Sequence, residues 1–189
     1  MGVGSPRAAA DPEISVVLAV GNAEDKVGHQ IRSVAGHLRG LGLTFEILVV
    51  NDGSSDNSLS IATLLASRVP ELRVLSRSVS GRAFLRGTSE ARGAAVVLLE
   101  ADRTVSFAPL GWALSRLAAG REAVILRGRY IVARRLMALP VIVRASGPGL
   151  LFEPIFERRA QELGIDVVGS RRKRPTPLLL RPVLRFLAA

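Results

Sequence analysis

At 189 residues the chain is long enough for one domain with a sizeable core, and an apolar content of 48% excludes a disordered body. A net charge of +10 selects anionic partners, while only 4% aromatic residues argues against a base-stacking platform for single-stranded nucleic acid. The absence of Cys excludes disulfides and thiolate metal sites.

The positive charge is almost all Arg, with Lys only at positions 26 and 173. Arg suits bidentate phosphate contacts; the same bias also follows from the base composition of a genome. Residues 1–12 are small, polar and Pro-containing, a flexible arm that lacks the apolar core of a secretory signal. Residues 14–20 (ISVVLAV) are rich in β-branched side chains and apolar on both sides, as in a central parallel strand covered on both faces. Residues 24–41 show helical spacing, with Val27, Ile31, Val34 and Leu38 on one face and Gly40 and Gly42 as a stop. Residues 45–50 predict a second strand. A second helix follows from residue 59 and ends before Pro70. Residues 72–75 predict a short strand, 81–92 a Gly-started basic helix, and 94–99 (AAVVLL) a buried strand. A helix over 109–119 and a strand over 123–126 complete a strand–helix alternation. That alternation predicts an α/β fold, a doubly wound, mostly parallel sheet with helices on both faces.

Residues 127–149 mix Arg with apolar side chains and give no regular pattern; Ser146 to Gly149 reads as a loop. Residues 151–163 are helix-like and 166–168 suit one more short strand. One domain thus spans 13–169. Residues 170–189 form a basic and apolar tail, in which Pro175, Pro177 and Pro182 prevent one long helix. The longest apolar runs are strand-sized, short of the ~20 residues of a spanning helix.

Two acidic corners end buried strands. The first is residues 51–58 (NDGSSDNS). Asp52 follows the second strand directly, at the carboxyl edge where open α/β sheets bind ligands, and a carboxylate there accepts hydrogen bonds from a base or ribose. Gly53 permits the chain reversal; Ser55 and Asp56 read as local caps of the next helix. The second corner is Glu100-Ala101-Asp102. Two carboxylates one residue apart at a strand end suit a hard cation, Mg²⁺ or Mn²⁺, shared with substrate phosphates. Arg82, at a helix start, suits a phosphate or a solvated surface equally. His29 and His37 read as ordinary residues of the first helix surface.

Together, ISVVLAVGNAED, FEILVVNDGSSDNS, the G-x-x-x-A-x-G run at Gly87, Ala91 and Gly93, and AAVVLLEAD resemble family 2 glycosyltransferases of the GT-A fold. The nearest group is dolichol-phosphate-mannose synthase and the polyprenyl-phosphate sugar transferases, and the resemblance covers residues 13–130. It implies a nucleoside-diphosphate-sugar donor and an acceptor such as a polyprenyl phosphate. By position it implies that Asp52 and Asn22 contact the donor nucleotide, that Arg82 lies near its phosphates, and that Asp102, with Glu100, holds Mg²⁺ or Mn²⁺. Gly128-Arg129-Tyr130 resembles a shortened Gly-Ser-Arg segment.

The chain departs from the family pattern in four places, one of them a Gly81 to Gly87 interval about two residues short of the family's. The usual Pro-x-Tyr-Asn-Glu after the first strand keeps only Asn22, with Glu24 one place beyond the missing acid. Glu100 replaces the first Asp of D-x-D. The acceptor-side segment is missing: residues 131–150 contain no acid, which leaves Glu153 and Glu157 as the nearest candidates for a general base, both of them also ordinary helix-face positions. Two functions follow. One is metal-dependent sugar transfer; the other is a catalytically impaired glycosyltransferase-like domain that binds nucleotide or protein. Nucleic-acid binding ranks well below both, since no groove-reading motif is present. Residues 171–174, with the apolar tail positions from Leu178 to Leu187, suit either an anionic membrane surface or packing on the domain. The expected location is cytoplasmic, at the inner face of the membrane.

Overall fold

The computed structural model describes residues 11–75, 82–145 and 152–169. The predicted N-terminal arm up to residue 10, Gly81 and the whole C-terminal tail lie outside the described residues. The chain runs β1 (Ile14–Val20), α1 (Val27–Gly40), β2 (Phe45–Asn51), α2 (Ser58–Ala66), β3 (Leu72–Leu75), α3 (Ala83–Glu90), β4 (Ala95–Glu100), α4 (Leu110–Ala118), β5 (Ala123–Leu126), β6 (Tyr130–Arg134), α5 (Arg135–Ala145), α6 (Phe152–Glu162) and β7 (Val167–Gly169).

The strands form one sheet in the order β3-β2-β1-β4-β6-β5-β7. All neighbouring pairs are parallel except those of β6, which runs against β4 and β5. β1 and β4 are buried on both faces, which is why their sequences read as continuous apolar runs rather than alternating ones. Side chains alternate across the sheet. Val16, Leu18 and Val20 meet α1, α2 and α4 through residues such as Ile31, Leu65 and Leu114. Val17, Leu48 and Leu98 meet the opposite layer of α3, α5 and α6 through Ala83, Val141 and Phe156.

The region without a readable pattern holds β6 and α5. β5 turns back through residues 127–129, where Arg129 N–H donates to Leu126 O at 2.9 Å and Gly128 takes φ +68°. Gly128 reaches that conformation without the Cβ clash of other residues. Pro140 sits inside α5, where it supplies no N–H to the helix.

The G-x-x-x-A-x-G run is packing. A Cβ on Gly87 would lie 2.2 Å from Val17 Cγ1, and one on Gly93 would lie 2.6 Å from the Ser15 backbone nitrogen. α3 and the segment after it therefore press on β1 at its middle and at its amino end. Beside Gly93, at the amino edge of the sheet, stands Glu46, only 2% exposed. Its Oε1 accepts from Ser15 Oγ at 2.8 Å and from Arg92 N–H at 2.7 Å; its Oε2 accepts from Arg73 at 3.0 Å and from Arg92 at 3.3 Å. Burial alone would raise this carboxyl, but the Arg92 amide, the Ser15 hydroxyl and the two guanidiniums outweigh it and hold it below the usual carboxylate range.

Candidate active site

The two acidic corners come to the same edge of the sheet. Val20 is in register with Asn51, and Asp52 N–H donates to Val20 O at 2.7 Å. On the other side of β1, Ala19 is in register with Glu100, and Ala101 N–H donates to Ala19 O at 2.9 Å. The corners thus flank the end of β1. At the usual inter-strand distance they are two spacings apart, about 10 Å. This is the carboxyl edge of β1, β2 and β4, the position where open α/β sheets accept ligands.

The first corner is held by a ladder to the loop after β1. Ser54 Oγ donates to Val20 O at 3.1 Å and accepts from Asn22 N–H at 3.3 Å. Asn22 Oδ1 accepts from Ser55 N–H at 2.8 Å and Ser55 Oγ at 3.2 Å. Asp56 caps locally, as expected, by accepting Ser58 N–H at 3.0 Å, and it also crosses to Glu24 N–H at 3.0 Å. The Ser58 hydroxyl is the main reason its carboxyl lies below the ordinary range, aided by the amides of Ser58 and Glu24. Glu24 Oε2 returns the contact, accepting from Asn57 N–H and Nδ2 at 3.0 Å each. Asn22 adopts φ +49°, a left-handed conformation that Asn tolerates better than most residues. Its side-chain oxygen, Ser55, Asp56 and Glu24 thus serve to clamp two loops. Asp52 opens the second of those loops, half-buried at the strand end.

At the second corner the buried Ala101 separates the half-buried Glu100 from the exposed Asp102. Arg103 Nε lies 3.5 Å from Glu100 Oε2 and 3.9 Å from Asp102 Oδ1. Burial raises the Glu100 carboxyl, the charges of Asp102 and Glu153 raise it further, and Arg103 offsets part of this. Among the described residues no three metal-ligating side chains cluster. A pair of hard oxygens whose charges repel fits a divalent ion completed by phosphates and water, rather than an all-protein cage.

Arg82 precedes α3 and is exposed, with no side-chain cap hydrogen bond. β3 runs toward the carboxyl edge, and α3 returns to the amino edge at Gly93, so Arg82 starts on the side of the acidic corners. Gly128-Arg129-Tyr130 forms the β5–β6 turn and the start of β6. Tyr130 is core: 1% exposed, stacked on Phe107 at 5.5 Å, its phenol pushed up by burial. α6 is tied to that turn. Glu153 Oε2 accepts from Gly128 N–H at 3.0 Å, and Arg127 donates to Glu157 at 2.8 Å. Glu157 is therefore engaged in an ion pair, whereas Glu153 stands near enough to Glu100 to act on its charge. His29 is exposed as expected. His37 is not a plain surface residue: it is half-buried against Phe107, its imidazole is lowered by burial, and its Nε2 is buried without a hydrogen-bond partner.

This architecture defines an α/β domain of the GT-A class. Its backbone resembles glucosyl-3-phosphoglycerate synthase from Mycobacterium tuberculosis, solved with UDP, with TM-score 0.61 at 22% identity over 94% of this chain and 79% of that one. It also resembles mannosyltransferase PcManGT from Pyrobaculum calidifontis, solved with GDP-Man and Mn²⁺, with TM-score 0.63 at 15% identity over 97% of this chain and 71% of that one. The chain belongs to glycosyl transferase family 2, whose family model matches residues 15–160. It is 34% identical over 93 residues to undecaprenyl-phosphate 4-deoxy-4-formamido-L-arabinose transferase of Pseudomonas paraeruginosa, a stretch covering 47% of this chain and 27% of that protein. It is 39% identical over 62 residues to dolichyl-phosphate beta-glucosyltransferase ALG5C of Trichomonas vaginalis, covering 31% of this chain and 18% of that protein. The matched stretch thus spans less than a third of either relative.

Proposed function

We propose that this domain binds a nucleoside-diphosphate sugar across the carboxyl edge of β1 and transfers the sugar to an acceptor, with a polyprenyl phosphate as the favoured class. The observation that carries the reading is the placement of Asp52 and Glu100-Ala101-Asp102 on either side of the end of β1. Asp52 accepts hydrogen bonds from the base or ribose, and the clamp at Asn22 keeps that loop in place. Arg82 faces the donor phosphates. Glu100 and Asp102 would hold Mg²⁺ or Mn²⁺, whose chemistry is to offset charge on the departing diphosphate. Arg103 balances the same carboxylates. The acceptor attacks the anomeric carbon as the nucleoside diphosphate leaves. The lipid-phosphate substrates in the names of the two curated relatives support the acceptor class, and a lipid acceptor would place the domain at the cytoplasmic face of a membrane. Among the described residues no helix is long and apolar enough to cross a membrane; contact through the tail remains part of the proposal.

Titration with a panel of UDP- and GDP-sugars in the presence of Mn²⁺ tests this reading. At least one donor binds saturably, Asp52→Ala weakens it about tenfold, the scale of a lost hydrogen bond to a charged group, and added polyprenyl phosphate gives turnover. Folded protein that binds none of the panel overturns the proposal. Binding without turnover on any acceptor would instead favour the impaired-domain reading, which the absence of acids over residues 131–150 motivates.

A further inference from the structure

Gln30 is a fully buried polar residue on α1, among Val27, Ile31 and Val34. A buried amide is costly unless its polar groups are bonded. Its Nε2 donates to the backbone oxygen of Arg103, and its Oε1 has no hydrogen-bond partner. A Met or Leu would fill the same volume without that orphaned oxygen, so the bond to Arg103 is what the amide supplies. The bond reaches into a segment without helix or strand, between the end of β4 and Leu110 at the start of α4.

We propose that Gln30 is a positioning residue for the Glu100 and Asp102 carboxylates. Asp102 lies between two pinned peptides. On one side the Ala101 N–H is held by Ala19 O of β1; on the other the Arg103 carbonyl is held by Gln30 of α1. With its backbone held, Arg103 carries its guanidinium to both carboxylates, at 3.5 and 3.9 Å. α1 thereby sets the height and direction of the acidic pair over the sheet edge, although no atom of Gln30 belongs to that pair. Partners one shell out from metal ligands commonly change metal affinity by about 10- to 100-fold when removed. The inference rests on the divalent-metal reading given above.

The test compares wild type, Gln30→Met and Glu46→Gln, the last destabilised at the opposite edge of the sheet. Mn²⁺ affinity is measured with UDP and with GDP, and amide hydrogen exchange of residues 102–105 is measured without metal. Gln30→Met weakens Mn²⁺ binding about 10-fold and speeds exchange in that segment, whereas Glu46→Gln melts earlier but keeps the wild-type Mn²⁺ affinity. Gln30→Asn, whose amide is withdrawn by one methylene, replaces Gln30→Met if the latter does not fold. Unchanged Mn²⁺ affinity or unchanged exchange in the Gln30 variant overturns the inference while leaving the metal reading in place. Wild-type protein that binds no Mn²⁺ with either nucleotide removes the metal reading and this inference with it.

Discussion

Asp102→Asn lowers sugar transfer by about 10²–10³-fold, the scale of losing one preorganised electrostatic contact to a developing charge, and leaves the melting temperature near that of wild type. The side chain is 48% exposed, and Arg103 Nε lies 3.9 Å from its Oδ1. An exposed pair of that length contributes at most about 1 kcal/mol to stability. The functional loss is larger because a neutral amide leaves Glu100 as the sole carboxylate at the end of β4 and removes half of the charge that the proposed divalent ion would meet. Steady-state transfer assays paired with thermal melts check this. A variant that folds and transfers sugar at the wild-type rate would exclude the second corner from the chemistry.

Glu46→Gln has the opposite profile: a stability loss of about 2–3 kcal/mol, the scale of one buried charge-assisted hydrogen bond, with nucleotide affinity unchanged. The amide keeps one oxygen for Ser15 and Arg92 N–H but turns N–H donors toward the guanidiniums of Arg73 and Arg92. The carboxyl of Glu46 is held low in the folded protein. Its contribution is therefore fully present above the ordinary Glu range and disappears as pH falls through the depressed folded value, because the unfolded chain binds the proton more readily. Chemical denaturation from pH 7 downward shows the wild type losing stability faster than Glu46→Gln, so that the two curves converge in acid. Parallel curves at all pH values would contradict the role assigned to this buried network.

What was legible in the sequence was local. ISVVLAV and AAVVLL announce strands covered on both sides because nothing in them alternates, and the acidic turns after them place carboxylates at strand ends by connectivity alone. That both corners lie on one edge followed from parallel strand order. Long-range contacts were not legible. Glu46 sits inside a run that reads as apolar, and its partners at Ser15, Arg73 and Arg92 come from three other parts of the chain. Gln30 finds Arg103 seventy-three residues away. Ser55 and Asp56 read as caps of their own helix because capping is local, yet Ser55 bonds instead to Asn22, and Asp56, which does accept the Ser58 N–H, also accepts from Glu24 N–H in the facing loop. β6 and α5 escaped for chemical reasons: the turn over residues 127–129 has one Gly between two Arg rather than an Asn-Gly pair, and Pro140 lies inside the helix. His37 escaped because the ring it meets, Phe107, belongs to a loop.

The most direct measurement is amide chemical-shift mapping of the full chain on addition of UDP or GDP with Mg²⁺. One nucleotide shifts residues at both corners together, Gly21 and Asn22 with Asp52 to Ser54, and Ala101 to Arg103, while Ser15, Glu46 and Gly93 at the far edge stay still. Shifts at only one corner, or at the far edge alone, would contradict a single donor bound across the end of β1.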